Sequence, residues 1–390
     1  MRHLHAKTGA WAAGLFLAVA CAGALAVPIT PRSDDEVIDV LPATAGVRGE
    51  DRQLRKRLAA QPGDAALAMT VARRYLNQAH ESGDPRYAGL ALAALRAWPE
   101  PAKSPDDILL MRATLQQYLH EFDASVVNLK LLLARPESGR NPQAWLTLAT
   151  VLRVQGHYAD SDAACRDVGR AGAEIYANAC LAENAALRGD VAEARRSFQS
   201  MLADPRLPPG TRGWLTTSLA ELEERDGHAA AAEAAYRQVL RLGPDSYASL
   251  AYADFLIHQK RPAEALKLLK DEPRTDAVLL RMAIAGTLAK SPGSERDVAE
   301  MRDRIALANE RPDARIFHGR EQAMFALVVE HAPERALELA RGDVARQREP
   351  LDLLVLAQAA RASGQPAAIA EAKRLKAAIG LHDRRIDALL

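Results

Sequence analysis

Aromatic residues are scarce in this chain, and no charge sign is in surplus. Phe, Trp and Tyr together make up 5% of the 390 residues. A β-rich fold draws on aromatic and β-branched residues, so the composition argues against one, whereas abundant Ala favours closely packed helices. Lys and Arg number 51 against 50 Asp and Glu. Because no basic excess is present to neutralise phosphates, we expect no nucleic-acid partner.

Motifs of catalysis and metal binding are also missing. The sequence contains no G-x-S-x-G or G-x-x-x-x-G-K-[ST] motif, and its ten histidines form no H-E-x-x-H pair or zinc-type spacing. Paired carboxylates such as Asp106-Asp107 suit helix starts and solvated faces. Since no nucleophile and base can be assembled, we predict no enzyme activity, no catalytic residue, no cofactor and no metal site.

The N-terminus has the composition of an export signal. Arg2 and Lys7 precede an uncharged, mostly apolar stretch from Gly9 to Ala26, which ends in a small-x-small cleavage pattern. We therefore predict a signal peptide over 1–26 and a periplasmic or secreted mature protein. Two alternatives remain open: Cys21 could carry lipid, or the stretch could persist as a membrane anchor. Membrane contact is expected only in those two cases.

A spaced pattern recurs roughly every 34 residues from about residue 62 to the C-terminus, a period typical of helix-turn-helix arrays. It predicts helix pairs with breakers between them, near 64–98, 105–135, 142–170, 173–204, 211–243, 246–271, 276–310, 315–342 and 349–380. Its clearest copy comprises Trp214, Leu219, Ala220, Gly227, Ala232, Tyr236 and Pro244.

This pattern resembles the tetratricopeptide repeat family, in an exported bacterial form. The matching features are a large residue followed by Leu-Ala on the first helix, a turn glycine, and a small residue then an aromatic on the second. They are carried by Trp145/Leu148/Ala149, by Gly156, Gly189, Gly227 and Gly364, and by Ala194/Phe198 and Ala232/Tyr236. Ser125 and Ser161 depart from it, because they stand where the second helix prefers Ala.

The resemblance implies an all-α, right-handed α-solenoid of about nine helix hairpins. The predicted organisation is an irregular lead-in over 27–49, helical repeats over 50–271, and divergent repeats with a C-terminal cap over 272–390. The aromatic residues of the pattern are expected in the core between units.

In this family the first helices line a concave groove, and the implied function is protein or peptide binding there. The register places six residues in that groove: Tyr118, Arg153, Glu183, Glu221, Asp254 and His258. The Lys/Asn clamp that some members use for a terminal carboxylate is not matched. We expect a non-enzymatic scaffold of the bacterial cell envelope with an unidentified protein or peptide partner. The alternative is a membrane-tethered assembly factor or chaperone for an envelope complex or metalloenzyme.

Signal cleavage after Ala26 would leave two cysteines, Cys165 and Cys180, in a compartment that favours disulfides. They flank a turn centred near Gly172, so antiparallel helices should bring them to nearly the same height. A disulfide between them is predicted. The alternative is a pair of small apolar side chains that fill a helix interface.

Overall fold

The computed structural model describes residues 45–310 and 319–390. The expected signal segment, with Cys21, and residues 27–44 of the lead-in lie outside these ranges. The two described ranges contain helices and no strand. With two short 3-10 turns set aside, the α-helices are numbered in chain order: α1 Ala45–Ala60, α2 Ala65–Ser82, α3 Pro85–Ala94, α4 Asp106–Tyr118, α5 Phe122–Leu133, α6 Pro142–Val154, α7 Tyr158–Arg170, α8 Glu174–Leu187, α9 Val191–Leu202, α10 Pro209–Arg225, α11 Ala229–Leu242, α12 Ser246–His258, α13 Pro262–Leu269, α14 Asp276–Ala289, α15 Ser294–Asn309, α16 Gly319–Val328, α17 Pro333–Val344, α18 Pro350–Ala362, α19 Pro366–Ile379 and α20 Arg384–Asp387.

Helix α1 begins at Ala45, inside the lead-in that the sequence predicts to be irregular as far as Gly49. No proline separates Pro42 from Pro62, so nothing in this stretch prevents the helix from extending towards the N-terminus. The chain divides into two compact units within α1, between Glu50 and Asp51. The repeats lie in the second unit, Asp51–Leu390.

From α2 to α19 the described helices form nine consecutive hairpins, and the two members of each hairpin pack against each other. The all-α solenoid of about nine hairpins is thereby confirmed. Breakers separate the units as predicted, and polar side chains cap several helices. Asp64, Asn141 and Asp245 each accept the third backbone N–H of the helix that follows. None of the helices described is long and apolar enough to cross a membrane.

Small and aromatic side chains fill the space between helices as the repeat pattern predicts. Phe198 and Tyr236 are fully buried, whereas Trp145 and Trp214 are only partly buried, so the expected core position is met only in part for the two tryptophans. The two departures from the pattern have a physical role. Ser125 Oγ donates to the carbonyl of Ala113 and Ser161 Oγ to that of Ala149, both at 2.8 Å. Serine is therefore small enough for the interface and bonds the facing helix.

The turn glycines adopt the left-handed backbone expected of them, with φ of +80° at Gly156, +99° at Gly189 and +83° at Gly227. Helices α14 and α15 lack the sequence pattern but still form a hairpin. Its turn uses Lys290 and Gly293 at positive φ instead.

A disulfide joins Cys165 on α7 to Cys180 on α8, with Cα atoms 5.8 Å apart. It links the second helix of one hairpin to the first helix of the next. The two residues flank Gly172, whose φ is +87°. The predicted Cys165–Cys180 disulfide is therefore present in the structure.

The C-terminal end of the chain returns to the middle of the array. Residues 379–385, here called the clasp, lie across the turns of three consecutive hairpins. The Ile379 side chain lies against Gly156. The His382 N–H donates to the Leu187 carbonyl at 2.7 Å, and Arg385 reaches Glu224 at 2.6 Å. Just before α18, the Arg348 N–H donates to the Val154 carbonyl at 2.6 Å. Two of these contacts thus supply hydrogen bonds to carbonyls at helix C-termini, which have no partner within their own helix.

Candidate functional site

Five of the six predicted groove residues line two adjoining cavities on the first-helix side of the array: Arg153, Glu183, Glu221, Asp254 and His258. The sixth, Tyr118, does not. Its hydroxyl donates to the Ala79 carbonyl at 3.0 Å, and its ring packs edge-on to His80 with centroids 5.0 Å apart. Tyr118 therefore bridges neighbouring units instead of facing the cavities.

The first cavity has a volume of about 410 Å³. It is lined by helices α6, α8 and α10 and by the start of α12. Residues 348–350, which lead into α18, also line it. Trp214 contributes an aromatic wall, and its ring stacks on Tyr176 with centroids 5.8 Å apart. Tyr247 also lines it and remains 64% exposed. An exposed aromatic residue in a concave, polar space is typical of a binding site.

The second cavity, of about 280 Å³, continues from the first towards α14 and α16. Arg385 of the clasp lines it, as does Arg320 of α16. The two cavities share five lining residues: Glu221, Arg225, Tyr247, Glu349 and Pro350. We refer to the two together as the cleft.

Most charges in the cleft are paired within the protein. Arg153 bonds Glu183, which also accepts from Ser218 Oγ at 2.7 Å. Arg281 bonds Asp254 at 2.6 Å, and Asp254 is 9% exposed. These groove residues are not free surface charges, because neighbouring first helices place opposite charges side by side.

A buried carboxylate network connects the cleft to the clasp. Glu224 accepts from the Tyr236 hydroxyl at 2.9 Å and lies 3.4 Å from His258 Nδ1. Burial opposes ionisation of Glu224, but Arg385 and His258 outweigh it and hold its pKa at about 2. His258, predicted to face a partner, thus takes part in internal structure.

The centre of the cleft is different. Arg225 lines both cavities and is 11% exposed, yet its closest recorded carboxylate oxygen is Glu221 Oε2 at 3.9 Å. Glu221 Oε1 instead accepts from the Tyr247 hydroxyl at 2.7 Å. Burial raises the pKa of Glu221 above its usual range. The register did not single out Arg225, although its i,i+4 spacing from Glu221 places both on one helix face.

The groups that line the cleft are polar, charged and aromatic. Among the described residues, no group of three or more His, Cys, Asp or Glu side chains could hold a metal ion. What the cleft presents is aromatic surface, paired charges and a loosely bonded arginine.

No protein-family model and no curated protein matches the chain. Solved structures of similar architecture include a tetratricopeptide repeat protein from Parabacteroides merdae, 16% identical, covering 66% of this chain and 91% of that one with a TM-score of 0.47. A Rap protein complexed with competence and sporulation factor is 10% identical, with coverage of 88% and 94% and a TM-score of 0.49. The human IFIT1 dimer with m7Gppp-AAAA is 11% identical, with coverage of 85% and 86% and a TM-score of 0.45.

These likenesses are too distant to say what this chain binds. The repeat type follows from the chain itself: its hairpins carry the small interface residues, the turn glycines and the buried aromatics described above. The protein is an all-α solenoid of helix hairpins, and its repeats resemble those of the tetratricopeptide type.

Proposed function

We propose that this protein is a non-enzymatic scaffold that captures a short segment of a partner protein, or a peptide, in the cleft. The observation that carries the proposal is the exposure of Tyr247 inside a concave, polar space, beside the stacked Trp214 and Tyr176. Aromatic rings supply contact area at low conformational cost, and they are enriched where binding energy concentrates.

The size of the cleft favours a short ligand segment. The Arg348–Pro350 stretch and the clasp border it, and the clasp residues Leu381 and Asp383 are buried. We infer that the clasp is a permanent wall, because releasing it would expose apolar surface and separate the Arg385–Glu224 pair. Cavities of about 410 and 280 Å³ accommodate a few residues and do not accommodate a folded domain.

Photocrosslinking tests this proposal. A benzophenone amino acid at position 247 should crosslink a partner in intact cells. The same group at Val127, which is equally exposed at 64% but lies on the second helix of its hairpin, should not. Equal crosslinking at the two positions, or crosslinking at Val127 alone, would contradict binding in the cleft.

We further propose that the protein acts in the bacterial cell envelope. The signal-like N-terminal segment and the Cys165–Cys180 disulfide support this location. The intact mass of the protein from cells, alkylated without reduction, tests both features together. Cleavage after Ala26 with two unlabelled cysteines is expected. A lipid mass on Cys21 would favour the membrane-tethered assembly factor, and two labelled thiols would refute the disulfide.

A further inference from the structure

Arg225 stands out because its guanidinium lacks the hydrogen bonds that the other arginines of the cleft have. No hydrogen bond from its side chain to a described residue is recorded, and its Nε is buried without a partner. Arg153, Arg281, Arg320 and Arg385 each bond a carboxylate instead. A nearly buried guanidinium without an acceptor is costly, so a ligand that supplies one binds with advantage.

The acceptors around Arg225 are already engaged. Glu183 serves Arg153 and Ser218, and Glu349 lies 3.2 Å from Arg320. Glu221 accepts from Tyr247 and stays 3.9 Å from Arg225. None of these three carboxylates therefore accepts a hydrogen bond from Arg225.

A second buried donor lies on the same side. Tyr158 lines the first cavity, is 4% exposed, and its hydroxyl has no hydrogen-bond partner in the part of the chain that the structure describes. Burial raises its pKa to about 12, so the hydroxyl keeps its proton and can only gain from an acceptor nearby. Arg225 and Arg153 are among the charges that act on this hydroxyl. Because the Tyr158 hydroxyl is itself shielded from solvent, Arg225 is the group that a ligand can reach, and a planar, anionic carboxylate matches the geometry of its guanidinium.

The position of Arg225 distinguishes a side chain from a chain end. Because Arg225 and Tyr247 line both cavities, they lie at the junction between them. A peptide that occupies both cavities passes Arg225 in mid-chain, so its terminal carboxylate lies elsewhere. The carboxylate of an acidic side chain can lie at Arg225.

We propose that Arg225 binds the carboxylate of a Glu or Asp side chain in the middle of a short peptide segment that runs from the first cavity into the second. The inference rests on the proposed function, since it names the chemistry that the same cleft recognises. It makes Arg225 a determinant of specificity for acidic segments.

The test uses two libraries of pentapeptides with blocked ends, one with Glu fixed at the centre and the other with Gln. Purified protein captures peptides, which are counted by mass spectrometry. The Glu library should be enriched about tenfold over the Gln library, the advantage of roughly one charge-assisted hydrogen bond. The Arg225→Gln variant should lose this preference. Arg196→Gln, at an exposed position on α9, should keep it.

Three results would overturn the proposal: no Glu preference in the wild type, an unchanged preference in Arg225→Gln, or displacement of the bound peptides by succinate at equal concentration. The last would assign the site to free small acids. Thermal unfolding should show that the variant is folded, because no hydrogen bond joins the Arg225 side chain to a described residue. If Tyr247 crosslinks a partner while no Glu preference appears, the carboxylate site fails and the proposed function stands.

Discussion

The middle of the array and its C-terminal clasp are stabilised in different ways. Helices α4 to α13 pack mainly against their neighbours in sequence, through buried residues such as Phe198 and Tyr236. The clasp bonds turns about 160 to 230 residues away in sequence, through Arg385 to Glu224 and Ile379 to Gly156. Nearest-neighbour packing builds a repeat protein of any length. Here a long-range contact is added, and the cleft lies where the two kinds of structure meet.

The largest effect is expected in the array. Phe198→Ala removes a fully buried ring between hairpins and should lower the free energy of unfolding by about 3–5 kcal/mol. Leu307→Ala, at a side chain that is 67% exposed, should change it by less than about 0.5 kcal/mol. Urea titration followed by circular dichroism measures both. Similar losses in the two variants would mean that the Phe198 site collapses around the cavity.

Breaking the clasp separates the two regions. Arg385→Gln leaves the buried Glu224 without its strongest cation and should cost about 3 kcal/mol. Arg384→Gln, whose side chain is 61% exposed, should cost little.

Hydrogen exchange then shows which region opens. In Arg385→Gln the amide of His382 should exchange faster, because its bond to the Leu187 carbonyl belongs to the clasp. Helices α4 to α9 should keep their protection. A uniform loss of protection over the whole second unit would show that array and clasp unfold together.

A carboxylate pair near the clasp gives a pH dependence of the opposite sign to ordinary acid unfolding. Asp343 and Asp352 are buried on α17 and α18, and Gln347 donates to both. Burial raises the pKa of Asp343 to about 6, although Arg320 opposes the shift. In the unfolded chain the pKa is about 3.9, so between these values the folded state binds more protons.

Stability from this pair should therefore rise as the pH falls from about 7 to about 4. Glu224 does not interfere, because its stabilising charge is lost only below about pH 4.5. Asp343→Asn should raise the free energy of unfolding at pH 7 by about 1–2 kcal/mol and flatten the profile. A variant that is less stable at pH 7, with the slope unchanged, would assign the dependence to other groups.

The smallest effect comes from two glycines that differ only in their surroundings. Gly156 and Gly172 both have positive φ, so substitution by Ala strains each backbone by about 1–2 kcal/mol. A Cβ at Gly156 would lie 3.1 Å from Ile379 Cγ2, whereas nothing lies within 4 Å of one at Gly172. Gly156→Ala should therefore melt lower than Gly172→Ala. Equal melting temperatures would mean that Ile379 moves away from the added Cβ without a loss of stability.

Local patterns in the sequence predict much of this fold. The nine hairpins, the turn glycines and the Cys165–Cys180 pair follow from periodicity and helix geometry, because each depends on residues less than about two repeats apart. Even the hairpin of α14 and α15 could be predicted from its breakers, although it lacks the aromatic and has its turn glycine, Gly293, outside the usual pattern.

The clasp could not be predicted in this way. The periodicity predicts contacts within and between neighbouring repeats. Residues 379–385 contact turns that are distant in sequence, and nothing in the repeat pattern links the two. The groove register found five cleft residues but gave no sign that Arg153 or Asp254 is paired, since ion pairs between helices depend on the superhelical geometry. The i,i+4 spacing from Glu221 could have pointed to Arg225. Only the structure shows that no described residue accepts a hydrogen bond from its side chain.

The clasp also makes the fold depend on the number of repeats. Its contacts fall on the turns after α6, α8 and α10, each one hairpin further along the chain. An extra hairpin inserted between α11 and α18 would carry the clasp past its carbonyl and carboxylate partners, and a deletion would leave it short of them. Most solenoids tolerate a change in repeat count, because only neighbouring units touch. In this protein a duplicated hairpin would break the contacts of the clasp, and the sequence of a single hairpin gives no sign of that cost.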